Sequence, residues 1–447
     1  MFAPIAGVFT RGIAPEALIG WAEGAPVTWG EFRRRVATLA TVLGARPAPG
    51  AVIACARPLG FLAALLALWH CGRVALVPPS LQPDAVAALA CADAPVLRDE
   101  DVERPASRAD AAALALPAAA RCRLALYTSG SSGTPKRIDK TLAQLDRELE
   151  NLHALWGGVL ASSAVLSTVP HYHIYGLLFR LLWPLAALRP ADASTSVDPV
   201  ELRQLAAARG RYVLVSTPAH LSRFPELLAL AEWRRPELIF SSGGPLSAAT
   251  AAQYREAFGT APLEVFGSTE TGGVAWRSRD GSPAEEAWTP FPGMAVRLGH
   301  DDALVIDSPY LEVRGWRMDD AAQMLGDGRF LLRGRLDRVV KIEGKRLSLP
   351  ELEQRLQSHA WVECACAVAL PAPGRLGAVI VPTAPGKAAL EKHGARAVGE
   401  QLRRHLAPLF DRTLLPRRFR FVAALPVNER GKVAAQALQH LFASRPS

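Results

Sequence analysis

The sequence is short of the features that mark membrane, secreted and metal-binding proteins. The apolar run from Phe61 to Cys71 is too short to span a bilayer, and no basic segment precedes an apolar one at the N-terminus, so we expect a cytoplasmic protein. The six cysteines have no CxxC or Cys/His metal spacing, so we expect reduced residues in the core. Cys364 and Cys366 would share one face of a strand, which leaves a redox role open.

Long blocks of one charge are also absent. The net charge is +9, but the basic residues are scattered without a run of five or six. This surplus favours an acidic partner without requiring a nucleic acid, and a nucleotide such as ATP would satisfy it. Internal repeats and low-complexity tracts are missing, apart from alanine-rich segments such as Ala111 to Ala120, for which we predict helix.

The chain of 447 residues, half of them hydrophobic, can bury a large core and should form two or more domains. Capping boxes at Thr28 and Thr141 predict helices. Short apolar strands such as Ala51 to Cys55 and Val74 to Val77 alternate with apolar helices such as Leu59 to His70. This alternation predicts an α/β fold with parallel strands.

From about residue 290 the pattern changes to short strands, among them Ala303 to Ile306 and Tyr310 to Val313. A glycine-rich stretch from Gly326 to Asp337 follows, and we place a hinge there. The next helix begins at Ser348, with its capping serine and a glutamate three residues on. The sequence therefore predicts a large N-terminal domain of α/β layers (1–336) and a small mobile α+β C-terminal domain (337–447).

The stretch from Leu126 to Lys136 combines hydroxyl groups, glycines and one cation in a single loop. Its sequence is Leu-Tyr-Thr-Ser-Gly-Ser-Ser-Gly-Thr-Pro-Lys, which offers hydroxyl donors, close backbone approach and a point charge, a combination that suits phosphate. It is not a Walker A motif, because Pro135 precedes Lys136 and the glycines are three apart. A Ser/Gly surface linker is the competing interpretation of this stretch alone.

The loop resembles the ATP-binding loop of the adenylate-forming superfamily, which includes acyl- and aryl-CoA synthetases, carrier-protein ligases and luciferases. Further segments resemble that family in order and rough spacing along nearly the whole chain: Pro170 to Gly176, Ser241 to Leu246, Val265 to Glu270, Trp316 to Asp320 and Asn428 to Lys432. The resemblance implies a ligase that activates a carboxylic acid with Mg·ATP as an acyl-adenylate. A phosphopantetheine thiol, on an acyl carrier protein or CoA, would then accept the acyl group.

The resemblance also implies a role for each matched residue. Residues implied to bind ATP are Thr128, Ser129, Gly130, Ser131, Ser132, Gly133, Thr134, Gly243, Gly244, Phe266, Gly267, Asp320 and Arg335. The implied catalytic residues are Lys136 at the β- and γ-phosphates, Thr269 at the α-phosphate, Glu270 as ligand of Mg²⁺, and Lys432 at the reacting carboxylate. His173, Tyr175 and Thr217 would line the acid pocket, Asp337 would be the hinge, and Gly344 would border the pantetheine tunnel.

The sequence departs from the family pattern at several positions. Met318 and Asp319 replace the usual Thr and Gly before the ribose-binding aspartate, so Asp319 competes with Asp320 for that role. Arg137 and Ala435 stand where glycine and arginine are usual. These departures keep open a non-catalytic descendant that serves as a scaffold. A phosphotransferase is disfavoured, because neither a Walker A loop nor a kinase catalytic set is present.

The expected acid is small and aromatic, such as a hydroxybenzoate. The candidate pocket offers aromatic walls with polar ends, from His171, Tyr172, His173, Tyr175, Thr217 and Phe266. The compact chain also resembles the short ligases that start aryl-polyene pigments. A medium-chain fatty acid is the alternative, and its tail would follow Leu177, Leu178 and Leu181.

For the thiol we expect an acyl carrier protein rather than free CoA. Carrier proteins are typically acidic, and six arginines lie within a short C-terminal span: Arg403, Arg404, Arg412, Arg417, Arg418 and Arg420. On one face they would steer an acidic partner. They could instead bind the 3′-phosphate of CoA or form an ordinary solvated surface.

Overall fold

The computed structural model describes residues 2–45, 48–91, 94–103, 114–128, 136–161, 163–194, 196–282, 284–342, 345–370, 376–426, 433 and 435–443. The chain forms two compact units, the first with Met1–Met294 and Ser308–Arg314 and the second with Ala295–Asp307 and Gly315–Ser447. Within the described ranges, no helix has both the length and the apolar character that a membrane crossing requires. The predicted domain boundary at 336–337 stays a prediction.

The strands in chain order are β1 (Leu18–Ala22), β2 (Ala25–Thr28), β3 (Gly50–Ile53), β4 (Val74–Val77), β5 (Val96–Leu97), β6 (Arg123–Thr128), β7 (Lys136–Thr141), β8 (Ala164–Ser167), β9 (Ala191–Asp192), β10 (Tyr212–Ser216), β11 (Leu238–Ser242), β12 (Leu263–Ser268), β13 (Gly272–Ser278), β14 (Thr289–Pro290), β15 (Ala295–Leu298), β16 (Ala303–Asp307), β17 (Trp316–Met324), β18 (Phe330–Arg335), β19 (Val339–Ile342), β20 (Lys345–Ser348), β21 (Val362–Ala369), β22 (Leu376–Pro382) and β23 (Arg418–Phe421).

The α-helices are α1 (Trp29–Gly44), α2 (Pro58–His70), α3 (Pro83–Ala87), α4 (Asp99–Val102), α5 (Leu142–Leu160), α6 (Ile174–Gly176), α7 (Trp183–Ala187), α8 (Pro199–Arg209), α9 (Pro218–Leu227), α10 (Ala248–Phe258), α11 (Leu349–Gln357), α12 (Ala384–Leu406) and α13 (Ala435–Ala443). A π-helical segment, Leu177–Leu182, joins α6 to α7. Short 3₁₀ helices are Ile5–Gly7, Ala119–Arg121, Leu230–Glu232, Leu336–Arg338 and Arg412–Leu414.

Two sheets form the first unit. The larger has the strand order β14-β13-β12-β11-β10-β8-β9-β1-β2, and its neighbours from β12 to β1 are parallel. The smaller has the order β5-β3-β4-β6-β7, with only the β6–β7 pair antiparallel. This arrangement confirms the predicted α/β fold.

Helix starts follow the predicted capping chemistry. Thr28 accepts a hydrogen bond from the Glu31 backbone, and Thr141 accepts one from the Gln144 backbone, each in a complete capping box. Five leucines of α5 are buried and Leu155 is partly buried, and α2 is buried almost all round, as its apolar sequence predicts. These helices pack their apolar faces on the sheets and bury the core.

The second unit contains a four-stranded antiparallel sheet of order β15-β16-β17-β18 and a three-stranded sheet of order β21-β22-β23. The three-stranded sheet packs with α11 and α12 around a core that includes Leu352, Leu356, Ile380 and Leu402. Ser348 caps the start of helix α11, where its side chain accepts a hydrogen bond from the Glu351 backbone, as predicted.

Three local predictions are wrong. Residues 114–118 are not helical, because Pro117 removes a backbone donor and the extended Ala118 follows it, while residues 111–113 lie outside the described residues. Tyr310 to Val313 is a turn rather than a strand, since the Ser308 carbonyl accepts the Leu311 amide. Cys91 is exposed instead of buried.

The other five cysteines are buried or partly buried, and all six are free thiols. Cys364 and Cys366 lie two residues apart on β21, as predicted. Burial, together with the nearby Glu353 carboxylate, raises the pKa of Cys366 to about 12, so its thiol stays protonated. Packing therefore accounts for Cys366 better than redox chemistry does.

Candidate active site

Three of the predicted site segments, Pro170 to Gly176, Ser241 to Leu246 and Val265 to Glu270, meet at one edge of the nine-stranded sheet. Strands β8, β10, β11 and β12 are parallel neighbours, so their carboxyl ends lie side by side. The residues that follow these ends are Thr168, Thr217, Gly243 and Thr269. In open α/β sheets this edge is where ligands bind. Topology thus brings together segments that are far apart in sequence.

The tight turn between β12 and β13 carries Thr269 and Glu270. The Ser268 amide donates to the Thr271 hydroxyl and the Thr271 amide donates to the Ser268 hydroxyl, each at 3.1 Å. Thr271 is fully buried, whereas Glu270 keeps 23% of its side chain exposed. The reciprocal bonds fix the turn and leave the Glu270 side chain partly open to solvent.

Lys136 reaches Glu270 from the smaller sheet of the same unit. Lys136 Nζ donates to Glu270 Oε1 at 2.7 Å, across 134 positions of sequence. Although burial raises the pKa of Glu270, the hydrogen bond from Lys136 and further hydrogen bonds outweigh it, and the pKa lies below its usual value. The carboxylate is therefore ionised near neutral pH.

Paired residues flank the loop that is predicted to bind the phosphates of ATP. Thr128, the last residue of β6, pairs with Lys136, the first residue of β7. Ser129 to Thr134 lie outside the described residues, so their predicted roles stay predictions. Arg137 extends the strand and forms an ion pair with Asp139 at 2.8 Å.

The segment after β8 supplies an aromatic cluster. The ring of Tyr175 lies 4.9 Å from that of Phe179, which lies 5.0 Å from that of Phe240, and the Tyr172 ring lies 4.7 Å from that of His173. Burial raises the pKa of Tyr175 well above its usual value, and the Ser216 backbone offsets this only in part, so the phenol stays neutral.

Gly176 allows this segment to fold back on itself. A Cβ at this position would lie 2.0 Å from the carbonyl oxygen of Pro170, so no side chain fits without moving backbone. The neighbouring His171 is 2% exposed, and its Nε2 lies 3.0 Å from the Cys55 carbonyl. Burial and the charge of Arg180 lower the pKa of His171 to about 3, although the Cys55 hydrogen bond opposes them. His171 is a neutral interior residue.

Thr217 caps helix α9, where its side chain accepts a hydrogen bond from the His220 backbone at 3.3 Å. Next to it, Thr168 Oγ1 lies 2.9 Å from both Ser216 Oγ and His220 Nδ1. Sequence reasoning missed this hydroxyl–imidazole chain. Thr168 and Ser216 come directly at two strand ends, and that placement was the available signal.

The glycine turn after β11 and the start of the β12–β13 hairpin lie beside these residues. Ser242 Oγ donates to the Val265 carbonyl at 2.8 Å, which ties the turn at Gly243 and Gly244 to β12. The Phe266 ring lies 5.6 Å from that of Trp288, and Gly267 pairs with Gly273 across the hairpin. Gly243, Gly244, Phe266 and Gly267, which are predicted to bind ATP, thus lie on or directly after two adjacent strands.

In the second unit, β17 and β18 pair Asp320 with Arg335. Arg335 lies 3.6 Å from the carboxylates of both Asp320 and Asp319, whose side chains are 13% and 58% exposed. Both aspartates thus stay candidates for the ribose. Asp337 lies in the 3₁₀ helix Leu336–Arg338. Gly344 and Lys432 lie outside the described residues.

Two buried charges beside the Glu270 turn were also missed. Lys140 is 3% exposed and Glu148 is 4% exposed. Burial lowers the pKa of Lys140 and raises that of Glu148, and the charge of each partly offsets the effect of burial on the other. The signal was in the pattern: Lys140 shares a strand face with the apolar Ile138, and Glu148 lies among the leucines of α5.

The similarity to known proteins decides the family. Residues 80–311, more than half of the chain, match the family of AMP-binding enzymes. A 4-coumarate–CoA ligase from Rhodobacter capsulatus is 31% identical over 322 residues, which cover 68% of this chain and 73% of the relative. This chain belongs to the AMP-binding, adenylate-forming enzymes.

Solved structures show the same fold for the whole chain. ATP-bound MatB from Rhodopseudomonas palustris aligns with a TM-score of 0.80 at 22% identity, covering 99% of each chain. A benzoate CoA ligase from Burkholderia xenovorans aligns with a TM-score of 0.77 at 20% identity, covering 97% of this chain and 99% of the ligase. The fold is therefore that of a large N-terminal and a small C-terminal domain, and the family is that of AMP-forming acid–thiol ligases that use ATP.

The site fits Mg²⁺ as a companion of ATP. Within the described ranges, no group of three or more His, Cys, Asp and Glu side chains could hold a metal ion. Mg²⁺ is usually bound through one or two carboxylates and substrate phosphates. The ionised, partly exposed Glu270 offers one such oxygen ligand beside Lys136, the cation predicted to contact phosphate.

Proposed function

We propose that this ligase activates a small aromatic carboxylic acid, such as a hydroxybenzoate, as its acyl-adenylate. The observation that carries the proposal is the contact between Lys136 and Glu270, which joins the base of the phosphate loop to the turn at the ligand-binding edge of the sheet. The aromatic cluster that contains Tyr175 follows β8 at the same edge of the sheet and supports an aryl substrate.

In the proposed reaction, a carboxylate oxygen of the acid attacks the α-phosphorus of ATP. The bond to the oxygen that bridges the α- and β-phosphates breaks, and pyrophosphate leaves. Lys136 would stabilise charge on the β- and γ-phosphates, Thr269 would donate to the α-phosphate, and Lys432 would hold the carboxylate. Mg²⁺, when bound, supplies positive charge that offsets the charge of pyrophosphate, and Glu270 would hold it.

Burial separates the aryl proposal from the fatty-acid alternative. Leu177, Leu178 and Leu181, which would line an alkyl tail, are each at most 2% exposed, so they border no open channel. His173 and Tyr175 retain accessible surface. The relative named as a 4-coumarate ligase acts, by its name, on an aromatic acid. The proposal includes two further expectations from the sequence: a role like that of the short ligases that start aryl-polyene pigments, and a cytoplasmic location.

ATP–pyrophosphate exchange tests the proposal directly. Exchange should depend on added acid and should be faster with benzoate or hydroxybenzoates than with octanoate. Faster exchange with octanoate overturns the aryl assignment. No exchange over a broad panel of acids overturns the adenylation itself.

For the second half-reaction, we propose a phosphopantetheine thiol as acceptor. It attacks the acyl carbon, the thioester forms, and AMP leaves with the carboxylate oxygen that had joined it to the acyl group. The arginines that favoured a carrier protein are partly occupied within the second unit. Arg403 donates to the Pro416 carbonyl, Arg418 to the Phe442 carbonyl and Arg420 to the Leu441 carbonyl. This leaves a smaller exposed basic surface, formed by Arg404, Arg412 and Arg417.

With at least three of the six arginines bonded to backbone carbonyls of their own unit, free CoA becomes the better-supported acceptor, and the carrier protein is the alternative. Thioester formation should be compared with CoA and with a holo-carrier protein at two salt concentrations. An Arg404→Glu, Arg417→Glu protein is the matched variant. Faster reaction with the carrier, weakened by both salt and charge reversal, would reverse the preference for CoA.

A further inference from the structure

Two lysines on one face of β7 contact the same residue in different ways. Lys136 and Lys140 are separated by an even number of positions, so both project to the face that carries Ile138. Lys136, with 59% of its side chain exposed, binds the Glu270 carboxylate. Lys140, which is 3% exposed, donates from Nζ to the backbone carbonyl of Glu270 at 2.6 Å. One lysine meets the side chain and the other fixes the backbone behind it.

Glu148 holds the other side of the same turn. It projects from α5, is 4% exposed, and accepts a hydrogen bond from the Gly273 amide at Oε1, at 2.7 Å. Gly272 has a φ of +71°, and a Cβ there would lie 2.5 Å from Glu148 Oε2. The turn is therefore fitted closely around this carboxylate, because both the backbone angle and the space require glycine.

A buried pair of opposite charges is an expensive way to stabilise a fold. Apolar residues of similar volume often stabilise as well or better, whereas removal of one charge leaves the other uncompensated. Helix α5 shows a simpler use of a buried acid nearby: Asp146 accepts the Ile5 and Ala6 amides and so secures the N-terminal segment. Lys140 and Glu148 instead both hold the turn that presents Glu270.

We propose that Lys140 and Glu148 are positioning residues of the adenylation site, which fix the turn from Glu270 to Gly273 so that the Glu270 carboxylate meets the Mg²⁺ of Mg·ATP. Neither residue touches the substrate; both act through the turn. The inference rests on the proposed function, since it takes Glu270 as the ligand of Mg²⁺.

The test uses Lys140→Met and Glu148→Gln, with Asp146→Asn as the matched control on α5. ATP affinity is measured at equilibrium with Mg²⁺ and with EDTA. The dissociation constant in EDTA divided by that in Mg²⁺ is the gain from Mg²⁺, and it is obtained without turnover. Exchange kinetics and thermal unfolding are measured on the same proteins. Methionine is similar in length to lysine and needs no counter-charge, but Glu148 then loses a compensating charge, so thermal unfolding establishes that the Lys140→Met protein is folded before its affinities are compared.

For Lys140→Met, the gain from Mg²⁺ should fall about tenfold, the usual loss when a residue that orients a metal ligand is removed. ATP affinity in EDTA and the KM for the acid should stay within about twofold of the parent. The kcat for exchange should fall by about the same factor as the gain in ATP affinity from Mg²⁺. Glu148→Gln keeps an acceptor for Gly273, so its loss should be about threefold. Asp146→Asn should lower the melting temperature and leave the gain unchanged.

If Lys140→Met and Glu148→Gln both keep the parent's gain from Mg²⁺, the inference is overturned and the proposed function is not. The same loss in Asp146→Asn also overturns it, because the effect would then follow stability. A parent protein that shows neither exchange nor any gain from Mg²⁺ overturns the proposed function instead.

Discussion

Glu264 and Glu270 lie on the same hairpin and differ in what surrounds them. Glu264 is 1% exposed, and its two oxygens accept hydrogen bonds from Arg277 at 2.8 and 3.0 Å, from Arg279 at 3.2 Å and from the Leu246 amide at 3.0 Å. Glu270 is partly exposed and contacts a lysine that is itself mostly exposed. A carboxylate saturated by rigid guanidinium groups serves the fold, whereas one held by a flexible lysine can exchange that partner for a metal ion.

The largest expected effect is on stability, at the buried Glu264. Glu264→Gln leaves two buried arginines short of a counter-charge, and the free energy of unfolding should fall by about 3–5 kcal/mol. Glu286, which binds the same arginines but is 54% exposed, is the control. Glu286→Gln should cost less than about 1 kcal/mol. Equal losses in urea unfolding of the two variants would remove the contrast.

At the partly exposed Glu270, a substitution should affect catalysis rather than stability. Glu270→Gln should lower exchange about 100-fold, comparable to the loss of one preorganised electrostatic contact. The free energy of unfolding should change by less than about 1 kcal/mol, because the ion pair with Lys136 is solvent-screened. Exchange rates and chemical unfolding on the same preparation check both. A stability loss as large as that of Glu264→Gln would assign Glu270 to the fold.

Substitutions at the predicted hinge and at Lys432 should affect the two half-reactions differently. Asp337→Pro fixes φ at the proposed hinge and should slow thioester formation more than exchange. Lys432→Ala should do the reverse, with exchange lowered about 100-fold as for other charge-stabilising contacts. Exchange and single-turnover thioester formation from preformed acyl-adenylate separate the two steps. Equal loss of both steps in each variant, with folding intact, contradicts a C-terminal domain that turns about Asp337 between adenylation and thioester formation.

His171 is a second buried ionisable group, and its contribution to the free energy of unfolding depends on pH. Its pKa is about 3 in the fold against 6.5 unfolded, so the unfolded chain binds the extra proton and stability falls as pH drops from 6.5 towards 3. The parent should lose about 2 kcal/mol between pH 7 and pH 5 that a His171→Gln protein does not lose. Urea unfolding at both pH values measures the difference. Identical pH profiles would mean that His171 can be protonated in place.

The smallest effect concerns the two aspartates beside Arg335. Asp320 is the more buried and its resemblance-based role is ribose binding, so Asp320→Asn should raise the KM for ATP about tenfold, as expected for a lost charge-assisted hydrogen bond. Asp319→Asn should change the KM less than about twofold, because an exposed ion pair contributes little. The opposite order would assign the ribose to Asp319.

Much of the fold followed from local patterns. The capping boxes at Thr28 and Thr141 start helices where predicted, and the strand–helix alternation gave parallel strands. The turn at Tyr310 was missed because its cause is tertiary: the ring is buried and its hydroxyl accepts a bond from Asn151 in α5. The four residues Tyr-Leu-Glu-Val cannot show this.

The site was predicted unevenly for the same reason. Spacing and family resemblance named Lys136 and Glu270, and the structure brings them into contact. The local sequence places Lys140 on the strand face of Ile138 but does not show what it binds, and it does not distinguish the surroundings of Glu264 from those of Glu270, because burial and pairing arise only when β7, α5 and the hairpin pack together. Residues that contact a ligand leave motifs, whereas residues that hold those motifs in place are recognised from the assembled structure.

Transfer of ¹⁸O from the acid to AMP tests the central claim most directly. The protein is incubated with ATP, Mg²⁺, CoA and benzoate labelled in both carboxylate oxygens, and the products are analysed by mass spectrometry. Attack on the α-phosphorus predicts one ¹⁸O in AMP and none in pyrophosphate. Label in pyrophosphate or inorganic phosphate, with unlabelled AMP or ADP, would contradict an acyl-adenylate and the proposed roles of Lys136 and Glu270.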